Sequence, residues 1–441
     1  MRLDTDHLFG DLKPPMSGLV VAVSGGSDSL SLLIAAKTHA DRHWPGINLT
    51  AVTVDHGLRP ESADEARGVA KLCAARGIRH RTMVWRGNKP ETGLSAAARE
   101  ARYRLLGQAA DEIGAACILT GHTMDDQAET VLMRSQRGAG AGLAGMARAT
   151  LYNERVWIVR PLLDLRRAHL RAWLTSQGVR WFDDPSNESE AYERSRIRAQ
   201  MVTDDVKALA LAANAAGDER RALSDACAAI LAKHVQMPTP GLFRIDRSFM
   251  NGERAVAIHA LRVLLACVGG RAYLPNHQRV GELHDKIRAG DARVSLSRVV
   301  VDARKGAVWM HREWRGLPRH SAVYSFWDGR WRIEGGADAD RLEIAAYPPS
   351  VEVLSDAPGA EVPAILWRAA LVAEPAVYRD GKFLGLVGQV QRLGIDLLSR
   401  RIVAPYALFL PEFDLAVAQV LTHLMGNSIM QPAPWKKHNA P

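Results

Sequence analysis

The sequence predicts an α/β fold in which a parallel sheet with helices on both faces is followed by a helical domain and a smaller, β-containing C-terminal domain. Apolar runs of strand length alternate with helical patterns over roughly the first 140 residues. A Gly-rich turn follows the first of these runs, at residues 24–29. From about residue 200, Ala-rich helical segments and then short β-like runs replace the alternation. We expect domains at residues 1–205, 206–290 and 291–441.

Four apolar runs predict the strands of the parallel sheet: residues 17–26, 49–57, 80–85 and 115–122. Helical spacing of apolar residues predicts a helix after each run, at residues 29–40, 63–77, 95–114 and 125–136. Ligands of such sheets bind at the carboxyl ends of the strands. The segments that follow the first, second and fourth runs are therefore the candidate site.

The second half of the chain has a different pattern. Predicted helices occupy residues 207–235, 252–268 and 276–289, and short β-like runs begin after residue 293. Two Asp-Gly pairs, Asp328-Gly329 and Asp380-Gly381, lie between alternating apolar flanks and predict hairpins. We expect the C-terminal tail, residues 432–441, to be disordered.

Composition and charge favour a soluble protein with an anionic partner. No apolar run reaches the roughly 18–20 residues of a membrane span. The chain starts with Arg2, Asp4 and Asp6 and lacks the apolar stretch of a signal peptide. The net charge of +9 favours a partner such as nucleic acid. We expect a cytoplasmic protein with no membrane association. Its oligomeric state stays open, with a homodimer among the alternatives.

The four cysteines argue against several classes of site. Cys73, Cys117, Cys227 and Cys267 lie far apart, and no two form a C-x-x-C pair. Structural zinc, an iron–sulfur cluster and a disulfide framework all need closer or paired cysteines. We therefore expect reduced, buried thiols.

The first strand runs into the segment Ser24-Gly25-Gly26-Ser27-Asp28-Ser29, which opens a helix. Glycines let the backbone approach a ligand, and backbone N–H groups at a helix start suit an anion. No Lys-Ser/Thr follows the glycines, so this is not the Walker loop. The alternative is a tight strand–helix turn with serine caps.

This segment resembles the signature of the N-type ATP pyrophosphatases. The resemblance implies that the protein binds ATP and cleaves it to AMP and pyrophosphate to adenylate a substrate oxygen. It assigns ATP binding to the loop residues Ser24, Gly25, Gly26, Ser27, Asp28 and Ser29. It also implies that Asp28 is catalytic and holds the magnesium-bound pyrophosphate, because a carboxylate beside a polyphosphate needs a cation between them.

Further segments narrow the resemblance. They are Val54–Ser62, His122–Thr130, Arg137–Met146, Arg160–Arg167 and Trp181–Arg198. In this order and spacing they resemble the tRNA(Ile)-lysidine synthetase family. The resemblance covers residues 17–200 closely and the remainder only weakly. Where that family has asparagine, this chain has Ser195, which leaves the supporting role of position 195 open.

The segment His122–Thr130 has two interpretations. Thr123-x-x-Asp126 fits a helix capping box. The spacing also places Asp125, Asp126 and Glu129 on one helical face, where carboxylates can hold an ammonium group. The family resemblance assigns Asp126 and Glu129 to lysine binding and makes Asp126 a candidate base for the amine.

Basic residues and a glycine loop complete the candidate set. The resemblance implies catalytic roles for Arg99 and Arg194, although most helix arginines are solvated. It implies that Arg137, Gly138, Gly140 and Arg198 contact tRNA or form a loop over the site. The loop 137–146 is predicted to be mobile, with a plain linker as the alternative. His56 lies after the second strand, near the nucleotide or in a structural role.

The resemblance implies a ligase that uses ATP to adenylate the wobble cytidine of the CAU-anticodon isoleucine tRNA and then joins L-lysine to C2. ATP as substrate, magnesium, lysine and tRNA follow from it. One alternative is a tRNA thiolase of the same superfamily, which the isolated cysteines disfavour. Another is an inactive RNA-binding module, which the intact set from Ser24 to Ser29 and Asp126 disfavours.

Overall fold

The computed structural model describes residues 3–13, 18–58, 61–138, 141–183, 196–198, 201, 203–318, 325–336, 339–347, 361–428 and 430–435. The chain divides into two compact units. The first comprises residues 1–221, 411–413 and 431–441, and the second residues 222–410 and 414–430. The boundary expected at 205/206 falls inside one helix, Thr203–His234.

The first unit contains the predicted sheet. Its strands are β1 (Leu19–Ala22), β2 (Leu49–Asp55), β3 (Arg79–Val84), β4 (Cys117–Leu119), β5 (Ala149–Tyr152) and β6 (Val156–Val159). These six strands lie in the order β5-β6-β4-β1-β2-β3 within a seven-stranded sheet, whose seventh strand lies at the edge beside β5. The pairs β1–β2, β1–β4, β2–β3 and β4–β6 are parallel, which confirms the predicted parallel sheet.

One hairpin in this sheet was not predicted. Strand β5 pairs with β6 antiparallel, and the turn between them places Asn153 and Glu154 at positive φ. No glycine marks this turn, and both strands are fully buried and, apart from Thr150, apolar. Periodicity therefore gave no alternation by which to recognise them.

Helices pack on both sides of the sheet. They are α1 (Thr5–Phe9), α2 (Ser27–His43), α3 (Ser62–Ala75), α4 (Leu94–Ile113), α5 (Met124–Gln136) and α6 (Arg167–Ser176), with α7 (Thr203–His234) following. Strand β1 is central, with β2 on one side and β4 on the other. This reversal opens a crevice at the carboxyl ends of the strands. The segments after β1, β2 and β4 all meet there, as the sequence predicts.

The second unit is built from antiparallel strands and helices. Its strands are β7 (Val235–Thr239), β8 (Leu242–Asp246), β9 (Ala292–Leu296), β10 (Val299–Ala303), β11 (Ala307–Arg312), β12 (Ser325–Trp327), β13 (Trp331–Gly335), β14 (Glu343–Ala346), β15 (Pro375–Arg379), β16 (Lys382–Leu386) and β17 (Leu397–Arg401), and β18 (Phe409–Pro411) straddles the two units. Its helices are α8 (Arg254–Gly269), α9 (His277–Ala289), α10 (Ala364–Leu371) and α11 (Leu415–Leu424). The largest sheet has the order β7-β8-β11-β10-β9.

Both predicted Asp-Gly hairpins are present. Asp328 and Gly329 have φ of 52° and 68° and connect β12 to β13, and Asp380 and Gly381 have φ of 51° and 73° between β15 and β16. Positive φ at both central residues is the hairpin turn that matches strand twist. The predicted helices at residues 252–268 and 276–289 correspond to α8 and α9.

The expectation of a disordered tail is wrong for its described part. Trp435 is buried, its Nε1 donates to Glu412 at 3.1 Å, and it forms a β-bridge with Leu12. The prolines and lysines of the tail suggest disorder, but the large apolar surface of this one indole is enough to bury the residue. Among the described residues no helix is long and apolar enough to cross a membrane.

Candidate active site

The loop from Ser24 to Ser29 is a closed turn between β1 and α2. Gly25 has φ of +90°, which favours glycine, and Gly26 is the N-cap of α2. The Ser29 hydroxyl donates to the Gly26 carbonyl at 3.0 Å and accepts from the Ser24 N–H at 3.2 Å. These bonds fix the loop around the first turn of the helix, where backbone N–H groups favour an anion.

Residues near 182 lie against this loop. The Phe182 N–H donates to the Gly25 carbonyl at 3.0 Å. A Cβ on Gly25 would lie 2.9 Å from the Phe182 ring, so this approach requires glycine. From α6, Arg171 donates to the Ser27 hydroxyl at 3.3 Å and to Asp183 at 2.6 Å. The segment 181–183 is therefore part of the loop's surroundings.

Arg167 connects the loop to the carboxylates of α5. Its Nε lies 2.8 Å from Asp28 Oδ2, its Nη2 3.0 Å from Asp126 Oδ1, and its Nη1 3.8 Å from Glu129 Oε1. Burial lowers the pKa of Arg167, but Asp126 and Asp28 outweigh burial and raise it. Arg167 is thus a permanent cation shared by three carboxylates.

The side chain of Asp28 is mostly shielded from solvent. Its side chain is 18% exposed, and one oxygen accepts from Arg167 while the other accepts from the Ser27 hydroxyl at 3.1 Å. Burial raises the pKa of Asp28, and the Arg167 charge opposes that rise. A carboxylate binds a metal cation only when it is ionised, and Arg167 favours the ionised form of Asp28. A bound cation would take the place that Arg167 now has beside this carboxylate.

The capping interpretation of Thr123 and Asp126 is confirmed. The Thr123 N–H and hydroxyl donate to Asp126 Oδ2 at 2.8 and 3.0 Å, and the Asp126 N–H donates to the Thr123 hydroxyl. The other oxygen of Asp126 accepts from Arg167. One residue therefore both caps α5 and faces the cluster, and the two interpretations of this segment are compatible.

Glu129 lies one turn further along α5. Its side chain is fully buried, and Arg198 donates to Oε1 at 2.7 Å. The structure thus brings together Asp28, Asp126, Glu129 and Arg198 from the predicted set. Asp125 points elsewhere, because it accepts from Arg166 and from the backbone N–H of Arg167 and so anchors the start of α6.

His56 follows β2 and packs edge-on against Trp85, with 6.0 Å between ring centroids. Its Nδ1 is buried and has no hydrogen-bond partner among the described residues. Burial, followed by the nearby charge of Arg102, lowers the pKa of His56 to about 4. The ring is therefore neutral at physiological pH and offers an unsatisfied nitrogen, which a satisfied structural histidine would not.

The other described residues of the predicted set lie outside this cluster. Arg99 is exposed and lies over the Tyr103 ring, 4.9 Å from its centroid. Arg137 caps the C-terminus of α5, and Gly138 follows at φ of +71°. Arg194 and Gly140 lie outside the described residues.

The described end of the loop 137–146 is anchored to α5. The Met146 N–H donates to Gln127 at 2.7 Å, and Gln127 donates back to the Met146 carbonyl at 3.0 Å. Arg134 donates to the carbonyls of Gly142 and Gly145 at 3.2 and 2.7 Å. Any opening of this loop has to break these bonds or occur nearer Gly138.

The carboxylates at the loop fit a magnesium ion. The negative charge of Asp126 contributes to the raised pKa of Asp28, so the two carboxylates lie within electrostatic reach. Magnesium takes one or two protein carboxylates and completes its shell with phosphate and water oxygens. A separate group, Asp6 with His39 and His43, has ligand atoms within 4.8 Å of one another. It belongs to α1 and α2, and Asp6 Oδ1 lies 3.1 Å from His39 Nδ1 and 2.9 Å from His43 Nε2.

Arg167, Arg171 and Phe182 were not predicted as site residues. Arg167 is the first residue of α6, where a cation opposes the helix dipole. Because arginines at the start of a helix are electrostatically unfavourable, their presence in the sequence indicates a role other than helix stability. The partners of Arg167 lie 139 and 41 residues away, and no local pattern identifies them.

Comparison with known proteins gives a consistent result. Residues 3–204 match the family model described as the PP-loop domain. A tRNA(Ile)-lysidine synthase of Mesorhizobium japonicum is 46% identical over 435 residues, covering 96% of this chain and 95% of the relative. Those of Rhizobium meliloti and Brucella anthropi are 38% and 37% identical, covering 94% and 92% of this chain and 93% and 94% of the relatives.

These relatives align over nearly the full length of both chains, so the similarity extends through the second unit as well as the PP-loop domain. The aligned region is therefore longer than residues 17–200, the part of the chain over which the sequence motifs show the resemblance. The predicted family is thereby confirmed: the chain belongs to the tRNA(Ile)-lysidine synthase family.

Proposed function

We propose that this protein uses ATP to join L-lysine to the wobble cytidine of the CAU-anticodon isoleucine tRNA. The C2 carbonyl oxygen of the cytidine attacks the α-phosphorus of ATP and releases pyrophosphate. The lysine ε-amine then attacks C2 and releases AMP and a proton. The observation that carries the proposal is the position of Arg167, which links an anion-binding loop to a carboxylate cluster in a chain of this family.

The loop from Ser24 to Ser29 is suited to the phosphate half of the reaction. Its backbone N–H groups and the start of α2 favour the anionic pyrophosphate as it leaves. Asp28 is the residue that would hold magnesium. When bound, the ion supplies positive charge that offsets the charge of the triphosphate. The neutral His56 ring offers its unsatisfied Nδ1 near the strand end where the nucleotide base is expected.

The carboxylates of α5 are suited to the lysine half. Within the described part of the chain, Asp28, Asp126 and Glu129 share the guanidinium groups of Arg167 and Arg198. Three carboxylates against two cations leave the cluster one negative charge in excess. An ammonium group restores neutrality and a neutral ligand does not, whereas a magnesium ion leaves one positive charge for the triphosphate to offset. We assign lysine binding to Asp126 and Glu129 on this basis.

Asp126 remains the proposed base for the lysine amine. Thr123 supplies two donors to one of its oxygens, and Arg167 supplies one to the other. A proton can be accepted most readily on Oδ1, once Arg167 moves toward Asp28 or the leaving phosphate. Arg167 therefore acts as a positioning residue between the two half-reactions. Arg99, Arg194 and Arg198 remain candidates for stabilising charge on phosphate or on the attacking oxygen.

The thiolase alternative finds no support in the cysteines. All four are free and buried. Burial raises the pKa of Cys73 to about 11 and those of Cys117, Cys227 and Cys267 to about 12. Such thiols stay protonated and are poor nucleophiles or metal ligands.

The direct test is nucleoside analysis of CAU-anticodon isoleucine tRNA after incubation with ATP, magnesium and lysine. We expect one cytidine to gain the mass of lysine less water. Omission of lysine, or a tRNA with another wobble base, serves as the control. Formation of a thiolated nucleoside, or no tRNA product alongside an intact fold, would contradict the proposal. A cytoplasmic location follows from a tRNA substrate and is part of the same proposal.

A further inference from the structure

The second unit contains a cavity of about 360 Å³ on one face of its five-stranded sheet. Its floor is a row of three residues in register across β9, β10 and β11. Val300 is paired with Ser295 on one side and with His311 on the other. Paired residues point to the same face of a sheet, and Arg293, two residues before Ser295, shares that face.

Helix α10 covers the neighbouring part of the same face. Leu366 and Ala370 pack with Leu242 and Trp309 in one apolar cluster. Beyond this cluster the helix leaves the sheet uncovered, and Ala369 and Val372 form one wall of the cavity. The opposite rim is the turn that follows β11, with Glu313, Trp314 and Arg315.

His311 lines the cavity and carries an unsatisfied ring nitrogen. It is 4% exposed, and its Nδ1 lies 3.0 Å from the Arg312 carbonyl, which can only accept. Nδ1 therefore carries the proton, and burial lowers the pKa of the ring. Nε2 is an acceptor that has no partner among the described residues. A buried acceptor without a partner is costly, and a ligand that donates to it removes the cost.

The rim has the chemistry of a nucleotide site. The Trp314 side chain is 68% exposed, which is unusual for the largest apolar side chain and provides a flat face for stacking. Arg293 and Arg315 supply positive charge for a phosphate, and the Arg315 Nε lies 4.0 Å from Glu313 at the same rim. Glu313 is a second acceptor beside His311, and its negative charge keeps a bare phosphate at the rim.

We propose that this cavity, formed by Ser295, His311, Glu313, Trp314 and the rim arginines, takes one unstacked nucleotide of RNA. The base stacks on Trp314 and directs donors to His311 and Glu313, and its phosphate meets Arg293 or Arg315. Acceptors inside the cavity favour a base with an exocyclic amine, so adenine, cytosine or guanine is preferred to uracil. The inference rests on the proposed function for its RNA, since tRNA is the substrate proposed above.

The test uses the full-length protein and measures tRNA affinity by fluorescence anisotropy, together with AMP formation at saturating tRNA. We expect Trp314→Ala to weaken tRNA binding about tenfold, the size of one lost base–aromatic stack. Trp314→Phe should restore most of the affinity, and AMP formation at saturating tRNA should not change. Tyr273→Ala is the matched control, since Tyr273 is 87% exposed in the same unit and should bind tRNA normally.

His311→Phe tests the interior acceptor and keeps the ring volume. We expect weaker tRNA binding with a melting temperature that does not fall, because loss of the Nδ1 hydrogen bond is offset by removal of the unsatisfied acceptor. Ultraviolet crosslinking followed by mass spectrometry should place a nucleotide on the peptide that contains Trp314. If Trp314→Ala and His311→Phe both fold and bind tRNA with unchanged affinity, and the crosslinks lie elsewhere, the cavity does not bind RNA. A protein segment would then be its occupant. These binding results can be read even if no lysidine forms, so failure of the pocket and failure of the proposed function are distinguishable.

Discussion

Arg167 and Asp28 form an ion pair across the crevice, with 2.8 Å between Nε and Oδ2. The pair joins the first residue of α6 to the second residue of α2. Because Arg167 also reaches Asp126, the state of the phosphate loop and that of the α5 carboxylates are coupled through one side chain. Substitution of either partner should therefore affect both halves of the proposed site.

Asp28→Asn should abolish tRNA-dependent AMP formation, with a loss of about 100-fold or more, because the carboxylate for the cation is gone. The fold should persist, since Arg167 keeps Asp126 and Glu129 as partners. Pyrophosphate release and the melting temperature are the measurements. Near-normal turnover would remove Asp28 from the site.

The same variant has a stability signature. The pKa of Asp28 is raised in the folded state, so the folded protein binds the proton more tightly than the unfolded chain. The contribution of Asp28 to the free energy of unfolding is therefore favourable at low pH and is lost as the pH rises through the pKa of Asp28 in the folded protein. At pH 7, Asp28→Asn should therefore unfold at the same or a higher denaturant concentration than the natural protein, and this advantage should shrink toward pH 4. Asp64→Asn, a change of an exposed carboxylate, is the control.

Arg167→Gln should move the acid limb of the pH–rate profile to higher pH. Arg167 opposes the rise in the pKa of Asp28, so its removal raises that pKa further. If Asp28 must be ionised, activity then appears only at higher pH. The measurement is AMP formation at saturating ATP and tRNA from pH 5 to 9. An unshifted limb would show that Asp28 does not control it. Arg221→Gln, which pairs with Asp218 at 2.8 Å, is a control of the same type.

Asp126→Asn and Glu129→Gln should raise the KM for lysine by about 100-fold, because a site that neutralises an ammonium loses its charge. Asp126→Asn should also let adenylated tRNA accumulate if Asp126 is the base. Steady-state kinetics with varied lysine measures the first effect. Asp111→Asn, an exposed carboxylate paired with Arg155, should leave lysine dependence unaltered. If both site variants had the same KM for lysine as the natural protein, Asp126 and Glu129 would be excluded from the lysine site.

His56→Gln should flatten the fall in stability at acidic pH. The pKa of His56 is about 4 in the folded protein, against 6.5 for an unperturbed histidine, so between these values the unfolded chain binds more protons. Stability from the neutral ring is therefore lost as pH falls from about 6.5 to about 4. Urea unfolding at pH 7 and pH 5 measures the difference. A variant that loses as much stability as the natural protein would contradict the buried, neutral state of His56.

Local patterns predicted the elements that carry the crevice. The first strand, the glycine turn and the start of α2 are adjacent in the chain, and the positive φ of Gly25 and the cap at Thr123 depend on neighbouring residues. Both Asp-Gly turns were predicted for the same reason. The α/β class follows from periodicity and is confirmed by the sheet order.

Long-range partners could not be predicted in this way. The contacts of Arg167 arise because α2 packs on α6, with the Ser31 hydroxyl near the Leu170 carbonyl. The burial of Trp435 depends on Leu12 and Glu412, which are distant in sequence. The cavity beside His311 depends on where α10 stops covering the sheet, and no single segment encodes that edge.

The order of the chemistry is the central claim, and one measurement tests it most directly. The protein is incubated with ATP labelled at the α-phosphate and CAU-anticodon tRNA, without lysine, and the label is followed on a gel. We expect one equivalent of pyrophosphate, labelled AMP that migrates with the tRNA, and release of that AMP when lysine is added. Pyrophosphate exchange supported by lysine alone, or label found on lysine and never on RNA, would contradict the account.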